Sequence, residues 1–378
     1  MLPKARIVAA LEHREPDRVP IGEQAIDWEI TDRALGVKTL YRAKWRAYTA
    51  LWEGRRDEIM ESTARDLVGL ARKFELDFVV VPTVPARQET YPKPEMLGEF
   101  AWRDERGRSW HYSPDSGGHA MAYEFPPTTI EDLPDPSAPV SVDTTQFEAI
   151  ERVVKEIGGT HFVFARLSDG TFPWEDTIGM ADYLVKMIDE PEFARRAAAA
   201  YTKRSIAAIK AVAATGVDGV LTGTDYCDNR GPLMGPKLFH EFLFPHLAET
   251  VKAAHDAGLF FVKHTDGYLW PILDDFVAAG VDGWQGIQPR IGMDLKLLKE
   301  KYGEKLTFFG GVNCETLTSG TEEQIEEEVK HAIRHAGPGG GFVMCSGNTL
   351  MPGTKWENYE AMRAATRKFG AYPISVPE

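Results

Sequence analysis

Short apolar runs with little polar alternation recur along the chain, and longer stretches of helical period separate them. The runs begin with "RVPIGE" at 18–23, "DFVVVPT" at 77–83, "HFVFARLSD" at 161–169 and "DGVLTGTD" at 218–225. They continue with "LFFVKHTD" at 259–266, "DGWQGIQP" at 282–289, "LTFFGGVN" at 306–313 and "GFVMCSGN" at 341–348. Between them, "EIMESTARDLVGLARKF" puts Met60, Ala64, Leu67, Val68, Ala71 and Phe74 on one helical face. A Thr-x-x-Gln capping box at Thr321 opens another helix, which ends near Gly337. The paired segments "TGVDGV" at 215–220 and "AGVDGW" at 279–284 each read as a helix C-cap glycine followed by a strand start.

Strands without polar alternation, each followed by a helix, predict a parallel sheet buried on both faces. Eight such runs favour a closed (β/α)8 TIM barrel of class α/β over an open sheet, with the whole chain, 1–378, as one domain. No Gly-x-Gly-x-x-Gly follows the first strand, which argues against a dinucleotide-binding fold. Residues 98–125 break the alternation and predict a β-hairpin insertion, with a polar turn at "DERGR" and a glycine-rich second turn. The proline-rich acidic stretch 126–142 then returns to the barrel, and the helices before residue 75 cap its bottom or pack outside it.

Charge and composition narrow the function. A formal net charge of −14, with no stripe of Lys and Arg, excludes nucleic acid as a natural partner. Apolar stretches are too short to span a bilayer and no secretory signal opens the chain, so a cytoplasmic protein without membrane attachment is expected. Three cysteines, an odd number, suit a reducing compartment in which thiols stay free or bind metal.

Barrels of this type carry their chemistry at the C-terminal ends of the strands. Those ends hold Glu23 and Gln24, Arg166 and Asp169, Asp225 and Cys227, His264 and Asp266, Gln285 and Gln288, Asn313 and Cys314, and Cys345 with Asn348. Imidazole and thiolate are ligands that zinc prefers, so His264 with Cys345 is a candidate metal pair, against the plain reading of a buried apolar thiol. Asp225 offers a carboxylate to a substrate or metal, or else caps its loop. Arg166 and Asp169 form an anion clamp with its partner, or an ordinary ion pair. Phe172, Trp174 and Trp270 wall an aromatic substrate, or simply pack the loops.

With these residues in place, the chain resembles the uroporphyrinogen decarboxylase superfamily, which includes corrinoid-dependent methyltransferases. The resemblance runs through "RIVAALEHREPDRVPI", "GPLMGPKLFHEFLFPHL", "VKHTDGYLWPILDDFVAAGVDGWQGIQP", "FFGGVNCETLTSGT" and "PGTKWENYEAM", nearly the whole chain. It implies a (β/α)8 barrel, often dimeric. The arginine-rich "RQAGRY" segment that holds tetrapyrrole carboxylates in the decarboxylases is replaced here by "IGEQAIDWEI", and their pyrrole-gripping aspartate by "VVVPTVP". Uroporphyrinogen itself is therefore an unsuitable substrate.

The methyltransferase branch has His-x-Cys-Gly after the fifth strand and a final cysteine, all binding zinc. Here His264, Thr265, Asp266 and Gly267 put a carboxylate in the first thiolate position, and Asn348 stands at the last. These departures do not reproduce that zinc site; since carboxylate oxygen also binds zinc, a site built from His264, Asp266 and Cys345 is chemically possible in its place. The resemblance implies a methyltransferase that demethylates a small substrate, a methoxylated aromatic, and hands the methyl to cobalamin on a corrinoid protein. Catalytic roles then fall to His264, Asp225, Arg166 and Asp266, and substrate contacts to Glu23, Asp169, Gln288, Asn313 and Asn348. Two alternatives stand beside it: a metal-independent decarboxylase of another small carboxylate, and a corrinoid-binding barrel without catalysis.

Overall fold

The computed structural model describes residues 1–114 and 119–376. Seven of the predicted runs form a curled parallel sheet: β1 (Phe78–Pro82), β2 (Phe162–Leu167), β3 (Gly219–Gly223), β4 (Phe260–His264), β5 (Gly283–Gln285), β6 (Thr307–Val312) and β7 (Phe342–Ser346), neighbours in that order. The eighth, at 18–23, makes no ladder of its own but fills the seam between β7 and β1. Ile21 bridges to Met344 and Gly22 to Phe78, both parallel. The Met344 N–H donates to the Pro20 carbonyl at 2.9 Å, and the Asp77 N–H to that of Ile21 at 2.6 Å. Proline at position 20 removes one donor, which keeps this pairing short. Gly22 is required there, because a Cβ would sit 2.2 Å from the Phe78 ring.

The two-residue period of each strand sorts side chains between two cores. Phe78, Val80, Phe162, Phe164, Leu221, Val262, Phe309, Val343 and Cys345 fill the barrel interior, where Ile7, Ala10 and Leu11 of the helix Pro3–Leu11 close the bottom. The alternate residues, among them Val79, Val163, Val220, Phe261, Trp284 and Met344, pack outward against the helices.

The aspartates that precede alternate strands serve one purpose. Asp77, Asp218 and Asp282 each accept a hydrogen bond from the backbone N–H of the neighbouring strand, at Ile21, Val163 and Phe261, over 2.8, 2.9 and 2.6 Å. The repeated Gly-Val-Asp-Gly motif therefore pins strand to strand as well as turning the chain. At the seam, Arg6 and Arg18 clamp Asp77 at 3.0 and 2.7 Å.

The insertion is larger than a hairpin. Four antiparallel strands, Glu95–Met96, Ala101–Arg103, Ser109–Ser113 and His119–Glu124, form a meander. Trp102 buries its ring against Trp45 and Trp52, with centroids 5.9 and 5.4 Å apart. The expected glycine-rich second turn lies outside the described residues. No helix of the described residues is long and apolar enough to cross a membrane.

Candidate active site

The phase of β4 decides what its polar end can do. Val262 and His264 point into the barrel, and Lys263 points out behind the sheet. There the Lys263 ammonium is fully buried, bonded to Asp169 Oδ2 at 2.5 Å and to the Thr224 carbonyl at 2.9 Å, and sits 4.1 Å from the centre of the Tyr226 ring. Lys263 therefore takes Asp169 out of the substrate side, so Asp169 is neither a substrate contact nor the hydrogen-bonded partner of Arg166. A lysine inside an apolar strand needs a buried counter-charge, and Lys263 is such a lysine in the sequence.

At the C-terminal mouth, Asp225, His264 and Asp266 come together, each offering one ligand atom within 4.8 Å of the others. His264 Nε2 lies 3.8 Å from Asp225 Oδ1, which also accepts the Asp266 N–H at 3.0 Å. On its other side, His264 Nδ1 contacts Gln285 Oε1 closely. The Gln285 amide nitrogen donates to the carbonyls of Ser346 and Asn348 at 3.2 and 3.3 Å, which fixes its oxygen toward the imidazole. Nδ1 therefore carries the proton, and the Nε2 lone pair faces the carboxylates. Burial, reinforced by the charge of Arg166, lowers the His264 pKa to about 4 and keeps the ring neutral.

Asp266 Oδ2 accepts a hydrogen bond from the Asn348 side-chain amide at 2.5 Å, whereas Oδ1 is buried with no hydrogen-bond partner. Burial first, then the neighbouring Asp225, pushes its pKa up to about 7. Asn348 also accepts, at 3.1 Å, from Gln24 Nε2, and Gln24 Oε1 accepts from Arg166 Nη1 at 2.7 Å. A relay of amides thus joins Arg166 to Asp266. The two positions that resemble thiolate sites of the methyltransferase branch hold a carboxylate and an amide bonded to each other.

Arg166 and Asp225 also line a cleft of about 1270 Å3, together with Thr83, Ser168, Phe172, Trp174 and Thr224. Trp270 is elsewhere, its indole N–H donating to the Gly292 carbonyl at 3.0 Å.

Other expected site residues carry hydrogen bonds within the fold. Glu23 is buried and accepts hydrogen bonds from the Ser346 N–H and hydroxyl, so it ties the seam to β7. Gln288 Oε1 accepts the Gly267 N–H at 3.0 Å and orients the loop after Asp266. Asn313 opens the helix Cys314–Ser319, and its N–H donates to Glu328 at 2.8 Å. Cys345 does not join the ligand group: it lies in the apolar barrel interior, where burial pushes its thiol pKa well up. Asp225 stands in the group instead. Gln24 and Gln285, seen in the sequence only as strand-end residues, are the partners that set Arg166 and His264.

The donor set fits a divalent cation. One neutral imidazole nitrogen and two carboxylates, with one buried oxygen unpartnered, match the mixed nitrogen and oxygen ligation of a catalytic zinc.

Residues 107–369 match the family model described as uroporphyrinogen decarboxylase (URO-D). No curated protein matches the sequence. Among solved structures, a methyltransferase from Methanosarcina mazei superposes with a TM-score of 0.72 at 22% identity, over 98% of this chain and 99% of that one. A sugar phosphate isomerase/epimerase from Parabacteroides distasonis gives 0.39 at 11% identity, over 94% and 98% of the two chains. A chitinase from Chromobacterium violaceum gives 0.39 at 9%, over 79% and 93%. The first of these establishes the barrel fold along the full chain; the other two are too distant to add to it.

Proposed function

The chain belongs to the uroporphyrinogen decarboxylase family, and we propose that within it the protein is a methyltransferase, taking a methyl group from a small methoxylated aromatic to a corrinoid on a partner protein. The observation that carries the reading is the Asp225, His264 and Asp266 group beside the cleft, with Asp266 Oδ1 unpartnered and the Nε2 lone pair of His264 turned toward the carboxylates. The full-length likeness in fold to the Methanosarcina mazei methyltransferase supports it.

When bound, a zinc ion held by these three side chains supplies Lewis acidity for the methyl-bearing oxygen, and the corrinoid supplies the methyl-accepting cobalt. The chain's own residues prepare the site. Gln285 holds His264 in the tautomer that presents Nε2, and Asn348 holds Asp266 by one oxygen so that the other faces inward. Asp225, half exposed, reaches the cleft. Trp174 and Phe172 supply apolar wall for a ring.

The test is direct. Purified protein given cob(I)alamin and a panel of methoxyarenes forms methylcobalamin, followed by absorbance, and a chelator abolishes the activity. Absence of methylcobalamin across the panel, with zinc added, overturns the proposal. One observation favours a second reading, decarboxylation of a small acid: at neutral pH Asp266 is partly protonated and able to return a proton to carbon. Carbon dioxide release that a chelator leaves unchanged would select it.

A further inference from the structure

Arg166 forms no ion pair among the described residues; Asp225 and Asp169 act on its charge only from beyond ion-pair distance. It lies partly buried at the wall of the cleft, deep enough that desolvation lowers its pKa to about 10, so it stays a cation at neutral pH. Among the described residues its only hydrogen bond runs from Nη1 to the neutral Gln24 Oε1, and no carboxylate lies within 4.0 Å. A guanidinium has five N–H donors in a planar fork, so most of its recognition capacity is unused. Asp169, the acid closest in sequence, is consumed by Lys263.

Space has been made for this group. At Gly223, the last residue of β3, a Cβ would lie 2.0 Å from Arg166 Nη2. His264 pairs with that same glycine across the strands, so the guanidinium rests beside the Asp225, His264 and Asp266 group. A partly buried cation whose nearest carboxylates stay beyond contact is costly to hold. That cost is sensible where a ligand brings the opposite charge into contact.

We infer that Arg166 is a carboxylate-binding site, and that the substrate is an acid seated by its carboxylate on the guanidinium, with its reacting end at Asp225, His264 and Asp266. The acidic excess in the rest of the cleft disfavours a second such group. Glu89, Asp135, Asp143, Glu175 and Asp176 line that part and outnumber its two other arginines, Arg106, paired with Asp176 at 3.3 Å, and Arg204, which stacks 5.1 Å over the Tyr201 ring. A small aromatic monocarboxylate fits this distribution; a polycarboxylate does not.

The inference takes its reacting end from the proposed methyl transfer, but binding is read without turnover, so the two fail separately. Calorimetric titration with benzoate, and with benzamide as the neutral isostere, tests it on the intact chain. Benzoate binds the wild type and benzamide does not. Arg166→Gln weakens benzoate by about tenfold to a hundredfold, the range of charge-assisted hydrogen bonds. Gly223→Ala keeps the charge and a compatible backbone but displaces the guanidinium, and it weakens benzoate as well. No benzoate binding by the wild type, equal affinity in Arg166→Gln, or equal binding of benzamide overturns the inference.

Discussion

Replacing Glu23 by glutamine should make the protein more stable in alkali and nearly leave it alone in acid. Glu23 is fully buried at the barrel seam, where Ser346 donates to it through its N–H at 3.1 Å and its hydroxyl at 2.6 Å. These bonds favour the carboxylate, but burial outweighs them and pushes the pKa from 4.5 to about 8. The folded protein therefore keeps a proton that the unfolded chain releases above 4.5. Stability from this group is fully present below 4.5, falls as pH rises toward about 8, and is flat beyond. The slope is about 1.4 kcal/mol per pH unit, and the full interval amounts to about 5 kcal/mol. Glutamine cannot ionise, and its amide can still accept from the Ser346 N–H. Urea denaturation of both proteins at about pH 5 and about pH 9 measures the gap, which should grow in favour of Glu23→Gln by several kcal/mol. A gap that stays constant between those pH values would refute the account of Glu23 as a buried acid held neutral.

Further outcomes follow from the other polar groups. Since Asp266 takes a proton near pH 7 and His264 only near 4, zinc affinity should fall as pH drops below about 7, by up to about tenfold per unit, and level off above it; titration calorimetry across that window checks this. Asn348→Ala removes a bond that favours the Asp266 carboxylate, so it should move that midpoint upward and weaken zinc by about tenfold to a hundredfold in the same titration. Lys263→Met leaves Asp169 buried and unpaired, and should cost about 3–5 kcal/mol in a denaturation curve, with most of it regained in the double variant Lys263→Met, Asp169→Asn.

Much of the barrel was legible because buried parallel strands read as apolar runs, and seven of the eight runs are strands of one sheet. The run at 18–23 was recognisable as the eighth, but not its reduction to two bridges into the sheet, since Gly22 packs on Phe78 and Pro20 pairs with Met344, both distant in sequence. The four-stranded insertion was undercounted because strands as short as Glu95–Met96 carry no alternation to detect. At the site, residue types led to Asp225, His264, Asp266 and Asn348, which the fold brings together at the mouth. Cys345 misled because chemical preference for zinc says nothing about depth: it lies below the mouth among apolar side chains. Whether Lys263 or His264 faces inward is also invisible in a strand buried on both sides, where neither face is marked by polarity.

The central claim is that Asp225, His264 and Asp266 hold a catalytic cation. Metal content by mass spectrometry, on protein purified without chelator and then dialysed against zinc, tests it most directly. About one zinc per chain, lost in Asp225→Ala, His264→Ala and Asp266→Ala but retained in Cys345→Ala, is the predicted result. Zinc that survives loss of the two carboxylates, or that leaves with Cys345, would contradict it.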